Sequence, residues 1–229
     1  MMKKGITTKP VSLITLADKN SPISEQYRTL RSNIQFASID NDLKTMVVTS
    51  SGPGEGKSTT SANLAVVMAN SNKRVLLIDA DLRKPTVALT FKLPNNNGLS
   101  TLIGNRNFKI ADVVQDSGIQ NLSIMTSGPK PPNPSEILGS NRMKTIINEA
   151  SLEYDLVIFD MPPVATVTDA QIISAEVDGT LLVVRERTTN KQALNRAVGL
   201  LKMAKAHIIG IAYNGVKRHG SDSYYYYYG

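Results

Sequence analysis

Short apolar runs alternate along this chain with longer segments in which apolar residues recur at helical spacing. The apolar runs are rich in valine, leucine and isoleucine and stop at polar or glycine-rich stretches, a pattern typical of buried parallel strands. The predicted strands begin at Val47, Val75, Asn121, Leu156, Thr180 and His207. The alternation predicts an α/β fold, with a doubly wound, mostly parallel sheet and helices on both faces.

The predicted helices lie between these strands or before the first one. They cover residues 24–36, 60–69, 135–150 and 190–205, whereas residues 86–120 are predicted to hold a loop and one or two short helices. Ser24 is the predicted N-cap of the first helix, because serine caps helices well and Glu25 follows in the first turn, where the helix dipole favours an anion.

The helix from residue 24 carries two different stripes. Its apolar stripe holds Tyr27, Leu30, Ile34 and Phe36. Its charged stripe holds Glu25, Arg28 and Arg31. Charged side chains three residues apart lie on one helix face, and such a face is usually solvated. The spacing alone therefore leaves open whether this face is solvated or is an interface.

Length, charge and composition limit the class of protein. The 229 residues suit one domain, predicted over residues 24–218, with flexible segments at 1–23 and 219–229. The chain has no cysteine, which excludes disulfides and thiolate metal sites. No apolar run approaches the roughly 18 residues that span a bilayer, and no signal-peptide pattern is present, so the predicted location is cytoplasmic. The net charge of +7 favours an anionic partner, but dispersed basic residues argue against nucleic acid.

A glycine-rich loop joins the first strand to the next helix. Its residues are Ser51, Gly52, Pro53, Gly54, Glu55, Gly56, Lys57, Ser58 and Thr59. Loop glycines let successive N–H groups converge on a phosphate at a helix N-terminus, so the loop predicts a P-loop nucleotide site of the P-loop NTPase type. Lys57 is expected to reach the β- and γ-phosphates of ATP, and the Ser58 hydroxyl to take one Mg²⁺ position. The strict motif has glycine where Ser51 stands, but serine can also make that turn.

Acidic residues follow two of the predicted strands. Asp79 and Asp81 end the strand that begins at Val75, and Asp160 ends the strand that begins at Leu156. Ligands bind beyond the carboxyl ends of parallel strands, so these carboxylates are predicted to lie beside the P-loop. Asp160 has the Walker B form and is expected to hold Mg²⁺ with Ser58 and Asp81. Arg83 and Lys84 follow at once and are candidates for binding the ATP phosphates or the incoming acidic tail.

The C-terminal residues form a tyrosine cluster after a polar linker. Its members are Tyr224, Tyr225, Tyr226, Tyr227 and Tyr228. No strand or helix period fits such a run, so it is a disordered end, an adhesive tag or a substrate. The last predicted strand ends near Asn214 on the same sheet edge as the P-loop. The chain from there to Tyr226 reaches up to roughly 40 Å when extended, which is enough to meet its own site or a neighbour's.

Together these motifs resemble the bacterial tyrosine kinases (BY-kinases). The likeness is to the cytosolic kinase of Gram-positive two-polypeptide systems for capsular or exopolysaccharide synthesis, and it covers residues 24–228. The Walker A, A′ and B motifs of that family match residues 51–59, 76–81 and 156–160. Its oligomerisation motif matches Glu25, Arg28 and Arg31, and its autophosphorylation cluster matches residues 224–228.

The resemblance implies a set of roles and partners. It implies an ATP- and Mg²⁺-dependent kinase that phosphorylates its own tyrosines, with Asp79 as the candidate base and Asp81 as the alternative. Asn214 is a candidate hydrogen-bond partner of adenine. A ring, expected to be an octamer, would form through the charged stripe, and a separate membrane protein would recruit and activate the kinase through its cytoplasmic segment. A cognate tyrosine phosphatase is also expected.

Two other functions remain open from the sequence. One is a P-loop ATPase switch, as in the partition and septum-positioning ATPases, whose tail is only adhesive. Those ATPases carry a signature lysine at the position of Gly52, and its absence here favours the kinase. The other is a scaffold without enzymatic activity.

Overall fold

The computed structural model describes residues 9–38 and 42–216. Its strands are β1 (Thr45–Ser50), β2 (Val75–Asp79), β3 (Val114–Ile119), β4 (Leu122–Met125), β5 (Leu156–Asp160), β6 (Gly179–Arg185) and β7 (Ile208–Asn214). Its longer helices are α2 (Pro22–Ala37), α3 (Lys57–Ala69), α7 (Asn141–Glu153) and α9 (Lys191–Met203). Shorter helices are α1 (Ile14–Ala17), α4 (Val87–Phe91), α5 (Leu99–Gly104), α6 (Pro134–Leu138) and α8 (Asp169–Ser174), and Ile110–Asp112 form a 3₁₀ turn.

The seven described strands form one sheet in the order β3-β4-β2-β5-β1-β6-β7. Every pair is parallel except β3 with β4, and β1 lies between β5 and β6 near the centre. Successive β1 side chains face opposite sides: Val47 joins the core that includes α7, α8 and α9, whereas Met46 and Val48 join the core that includes α2 and α3. This confirms the predicted doubly wound α/β fold with helices on both faces.

Helix α3 is buried from Thr60 to Ala69, because it is enclosed by the sheet and by α1 and α2. Such burial fixes the helix whose N-terminus follows the glycine-rich loop. None of the helices in the described ranges is long and apolar enough to cross a membrane.

The N-terminal residues differ from the prediction of a flexible segment over 1–23. Residues 9–23 are folded: α1 packs on α3, and the backbone N–H and hydroxyl of Thr15 both donate to Asn63 Oδ1, at 3.1 and 2.9 Å. Both residues are buried, so these bonds satisfy a polar group inside the fold. Residues 1–8 lie outside the described part of the chain.

Helix α2 begins before the predicted residue. Its N-cap is Ser21, whose Oγ accepts a hydrogen bond from Ser24 N at 3.1 Å, and Pro22 occupies the first turn, where its missing N–H costs nothing. The predicted cap at Ser24 is therefore wrong; that residue is buried inside the helix. Phe36 is also not on the apolar stripe: it is 69% exposed, because it lies two residues from Ile34 and so points to another side of the helix.

Two further elements differ from the sequence prediction. The helix predicted over 135–150 is broken at Gly139, and Ser140 caps a new helix, α7, by accepting from Met143 N. Residues 114–119, predicted as loop or helix, form the edge strand β3. Its half-exposed residues and its register shift against β4 explain why no strand pattern is visible there.

Candidate active site

The glycine-rich loop connects the central strand β1 to α3 through backbone angles that suit glycine. Gly54 and Gly56 have φ values of 77° and 99°, in the left-handed region. A Cβ at Gly56 would lie 2.0 Å from Asn214 Nδ2, so this position also lacks room for a side chain. Gly56 is the N-cap of α3, and its side-chain-free backbone leaves the first N–H groups of the helix available to an anion.

Lys57 begins α3 and reaches the acidic strand ends. Its Nζ lies 3.0 Å from Asp81 Oδ2, 3.5 Å from Asp160 Oδ1 and 3.0 Å from Ser58 Oγ. Burial opposes the charge of Lys57, but the Asp160 and Asp81 carboxylates outweigh burial and raise its pKa. The predicted lysine, hydroxyl and two carboxylates therefore meet in one place.

Asp79 and Asp160 lie at the ends of β2 and β5, paired in register and fully buried. Asp79 Oδ2 accepts hydrogen bonds from the N–H groups of Thr86 and Val87, each at 2.9 Å. Burial, followed by the charge of Asp160, raises the pKa of Asp79 to about 8. Burial likewise raises the pKa of Asp160, although Lys57 partly offsets it.

Two oxygens of these carboxylates are buried without a hydrogen-bond partner in the described chain: Asp79 Oδ1 and Asp160 Oδ2. An unpartnered buried acceptor is costly, so both oxygens suit a cation or a donor from a ligand. No three His, Cys, Asp or Glu side chains cluster as a metal site among residues 9–38 and 42–216. Mg²⁺ needs no such cluster, because it is usually held by one or two carboxylates, waters and substrate phosphates. The site therefore fits a nucleotide with Mg²⁺.

Arg83 binds a buried carboxylate, whereas the sequence predicted that it binds phosphate or an acidic tail. Its Nε and one terminal nitrogen bind Asp169 at 2.9 and 3.0 Å, and that terminal nitrogen also donates to Ser135 Oγ at 2.9 Å. Asp169 is fully buried, so Arg83 is the counter-ion of a core carboxylate and its predicted role as a phosphate ligand is not supported. No local motif marks this pair, because 86 residues separate its members.

Asn214, the predicted adenine ligand, ends β7 beside the P-loop. Its Nδ2 donates to the carbonyl oxygen of Glu55 at 3.0 Å, so the side chain contacts the loop backbone directly. The described chain continues from there only to Val216, and the tyrosine cluster lies outside the described residues.

The charged stripe of α2 is present, with contacts inside the chain. Glu25 Oε2 and Arg28 Nε form an ion pair at 2.6 Å, and Arg28 also donates to the Lys19 carbonyl at 3.0 Å. Arg31 donates through one terminal nitrogen to the Val67 carbonyl at 3.2 Å, whereas its Nε is buried without a partner in the described chain. Glu25 and Arg28 therefore pair at the surface of α2, whereas Arg31 contacts α3, and the role of the three residues in assembly stays a prediction.

A phosphate-binding loop after the central strand, with carboxylates ending β2 and β5, defines a P-loop NTPase-type domain. A protein-family model described as an AAA domain matches residues 43–207. Among curated proteins, the tyrosine-protein kinase YwqD of Bacillus subtilis (strain 168) is 47% identical over 216 residues, which cover 94% of this chain and 91% of YwqD. The putative tyrosine-protein kinase CapB of Staphylococcus aureus is 42% identical over 230 residues, which cover 100% of this chain and 99% of CapB.

A solved structure agrees with these sequence comparisons. The chimerical protein CapA2B2 superposes with a TM-score of 0.86 at 38% identity, covering 92% of this chain and 94% of that chain. The chain therefore belongs to the bacterial tyrosine-protein kinases, and its enzyme class is protein-tyrosine kinase. This confirms the resemblance found in the motifs.

Proposed function

We propose that this chain transfers the γ-phosphoryl group of ATP to its own tyrosines, Tyr224–Tyr228, in trans between neighbours in a ring. The observation that carries the proposal is the contact of Asn214 with the P-loop, because β7, the last described strand, ends at that residue. The chain thus leaves the sheet at the edge where the phosphate would lie. Its extended reach of roughly 40 Å includes a neighbouring site.

The nucleotide is assigned to the loop Ser51–Thr59. The N–H groups at the start of α3 bind its phosphates, Lys57 neutralises the β- and γ-phosphates, and Asn214 contacts adenine. Ser58, Asp81 and Asp160 would hold Mg²⁺, which when bound neutralises charge on the transferred group. Lys57 already lies within 3.5 Å of an oxygen of each of these three residues, so a small side-chain movement moves it from the carboxylates to the phosphates.

Asp79 is the proposed general base. A tyrosine hydroxyl has an ordinary pKa near 10, so it needs an acceptor for its proton as the phosphoryl group arrives. Asp79 Oδ1 has no hydrogen-bond partner in the described chain. Because the raised pKa of about 8 favours the protonated form, Asp79 takes the tyrosine proton through this oxygen only in its ionised state, which positive charge bound at the site would favour. Asp81 remains the alternative base, although its carboxylate is already paired with Lys57 at 3.0 Å.

The wider assignment follows the family resemblance. The kinase domain includes the folded residues 9–23 and extends to residue 218, and residues 219–229 form its substrate tail. Glu25, Arg28 and Arg31 build the ring, proposed to be an octamer. The Glu25–Arg28 ion pair is accessible to solvent, which supports contact with a neighbouring chain there. The cytoplasmic segment of a membrane activator recruits the kinase to the inner face of the membrane. A tyrosine phosphatase removes the phosphoryl groups again. The cycle of phosphorylation and dephosphorylation regulates capsular or exopolysaccharide synthesis and export.

Labelled ATP tests this function. The wild-type chain with Mg²⁺ and the activator segment should place label on residues 224–228, whereas Lys57→Met should place none and the exposed-lysine control Lys202→Met should match the wild type. Release of free phosphate without labelled tyrosine would instead identify an ATPase switch.

Mixing the Lys57→Met chain with an active chain that lacks residues 217–229 tests the trans reaction, because label on the inactive chain requires a neighbour.

A further inference from the structure

Glu55 places a carboxylate inside the loop that is proposed to bind phosphate. The residue is only 3% exposed, so its charge is not dispersed by solvent. A carboxylate that faced the N–H groups at the start of α3 would compete with phosphate for them and would repel it. The structure therefore has to keep this side chain turned away from the phosphate position.

Three donors hold the Glu55 carboxylate. Ser51 Oγ lies 2.6 and 2.8 Å from its two oxygens, and Gly52 N donates to Oε2 at 3.0 Å. The third donor is the hydroxyl of Thr189, which bonds to Oε1. Ser51 stands where the strict motif has glycine, and its hydroxyl explains this departure, because glycine could not hold the carboxylate.

Thr189 connects this loop to the end of the neighbouring strand β6. Its hydroxyl oxygen accepts from Arg185 N at 2.9 Å, so it is tied to the last residue of β6. Arg185 also donates to the Gly54 carbonyl at 3.2 Å, which adds a second bond between the end of β6 and the loop. The connection from β6 to α9 therefore braces the tip of the P-loop.

We propose that Thr189 and Glu55 form a latch that determines the affinity of the P-loop for nucleotide. Thr189 acts as a positioning residue: its hydrogen bond keeps the Glu55 charge directed at β6 and away from the phosphates. The latch rests on the proposed nucleotide site at Ser51–Thr59. It assigns a role in the kinase reaction to Thr189, a residue outside the sequence motifs.

Isothermal titration with ADP and Mg²⁺ tests the latch. Thr189→Val keeps the shape of threonine but lacks the hydroxyl, and it should weaken ADP binding about tenfold, the effect of losing one hydrogen bond to a charged group. The conservative variant Thr189→Ser should bind as the wild type does. Thr188→Val is the matched control, because Thr188 is the exposed neighbour, and it should leave binding unchanged.

A double variant separates charge from folding. If the untethered charge weakens binding, Glu55→Gln combined with Thr189→Val should recover most of the lost affinity, although it restores no hydroxyl. Equal ADP binding by Thr189→Val and the wild type would overturn the latch, as would a double variant no better than Thr189→Val. A thermal unfolding curve for each variant shows that the folded protein is being titrated. Absence of ADP binding in the wild type would instead overturn the proposed function.

Discussion

Asp79 and Asp160 end two neighbouring parallel strands side by side, in register and fully buried. Their charges and that of Asp81 all act on the ammonium group of Lys57. Three carboxylates face one lysine, and the pKa of Asp79 is raised first by burial and then by the charge of Asp160. When these carboxylates are ionised, the site holds an excess of negative charge. A bound divalent cation would remove this excess, which is why the pair suits a magnesium-dependent phosphoryl transfer.

The pH dependence of stability tests the state of Asp79. Its folded pKa of about 8 lies above its ordinary value, so the folded chain keeps a proton that the unfolded chain loses. Stability should therefore fall as pH rises from the ordinary value towards 8, by at most about 1.4 kcal/mol per pH unit. Asp79→Asn should show a flatter profile of melting temperature without nucleotide or metal. Parallel profiles for the two proteins would contradict the raised pKa.

The two left-handed loop glycines should differ in their tolerance of alanine. Gly54→Ala adds only backbone strain, about 1–2 kcal/mol, because nothing lies within 4 Å of the new Cβ. Gly56→Ala adds the same strain and also displaces the Asn214 amide, 2.0 Å from the new Cβ. We expect Gly56→Ala to weaken ADP binding more than tenfold and beyond Gly54→Ala, as measured by calorimetry. Equal losses of ADP affinity in the two variants would show that only the backbone strain weakens binding.

The ion pair of Arg83 should matter far more than a similar pair at the surface. Arg83→Ala leaves the buried Asp169 without its counter-ion and should lower the free energy of unfolding by about 2–3 kcal/mol. Arg74→Ala removes an exposed ion pair with Asp155, whose N–O distance of 3.0 Å is close to that of the Arg83 pair. This variant should change the free energy of unfolding little. Urea unfolding of both variants makes the comparison. Similar losses would mean that Asp169 does not depend on Arg83.

Phosphorylation should weaken the proposed ring. Each phosphotyrosine adds about −1.5 to −2 charge, so five would add about −7.5 to −10, which cancels or reverses the +7 of the chain. Crowded anionic tails repel one another and should no longer dock in neighbouring sites. Light scattering before and after phosphorylation measures the mass, with a chain carrying phenylalanine at residues 224–228 as the control. An unchanged mass at full modification would refute the prediction.

Much of the fold was predictable because its signals are local. The β-branched runs that end in Asp79 and Asp160 indicate buried strands with polar ends, and the glycines before Lys57 indicate a loop at a helix start. The β3 strand was not predictable, since its half-exposed residues follow no alternation. The break at Gly139 was also missed, because a single glycine inside a helical pattern does not by itself end a helix.

The sequence by itself determined the central loop, the strand ends beside it and the kinase resemblance, since these depend on residues that are adjacent along the chain. Only the tertiary structure decided which distant side chains complete the site. Thr189 meets Glu55 because β6 lies next to β1. Arg83, which follows β2, meets Asp169 because Asp169 begins α8, a helix that packs on β1 and α6. Such contacts depend on the order of strands in the sheet, which local periodicity does not encode.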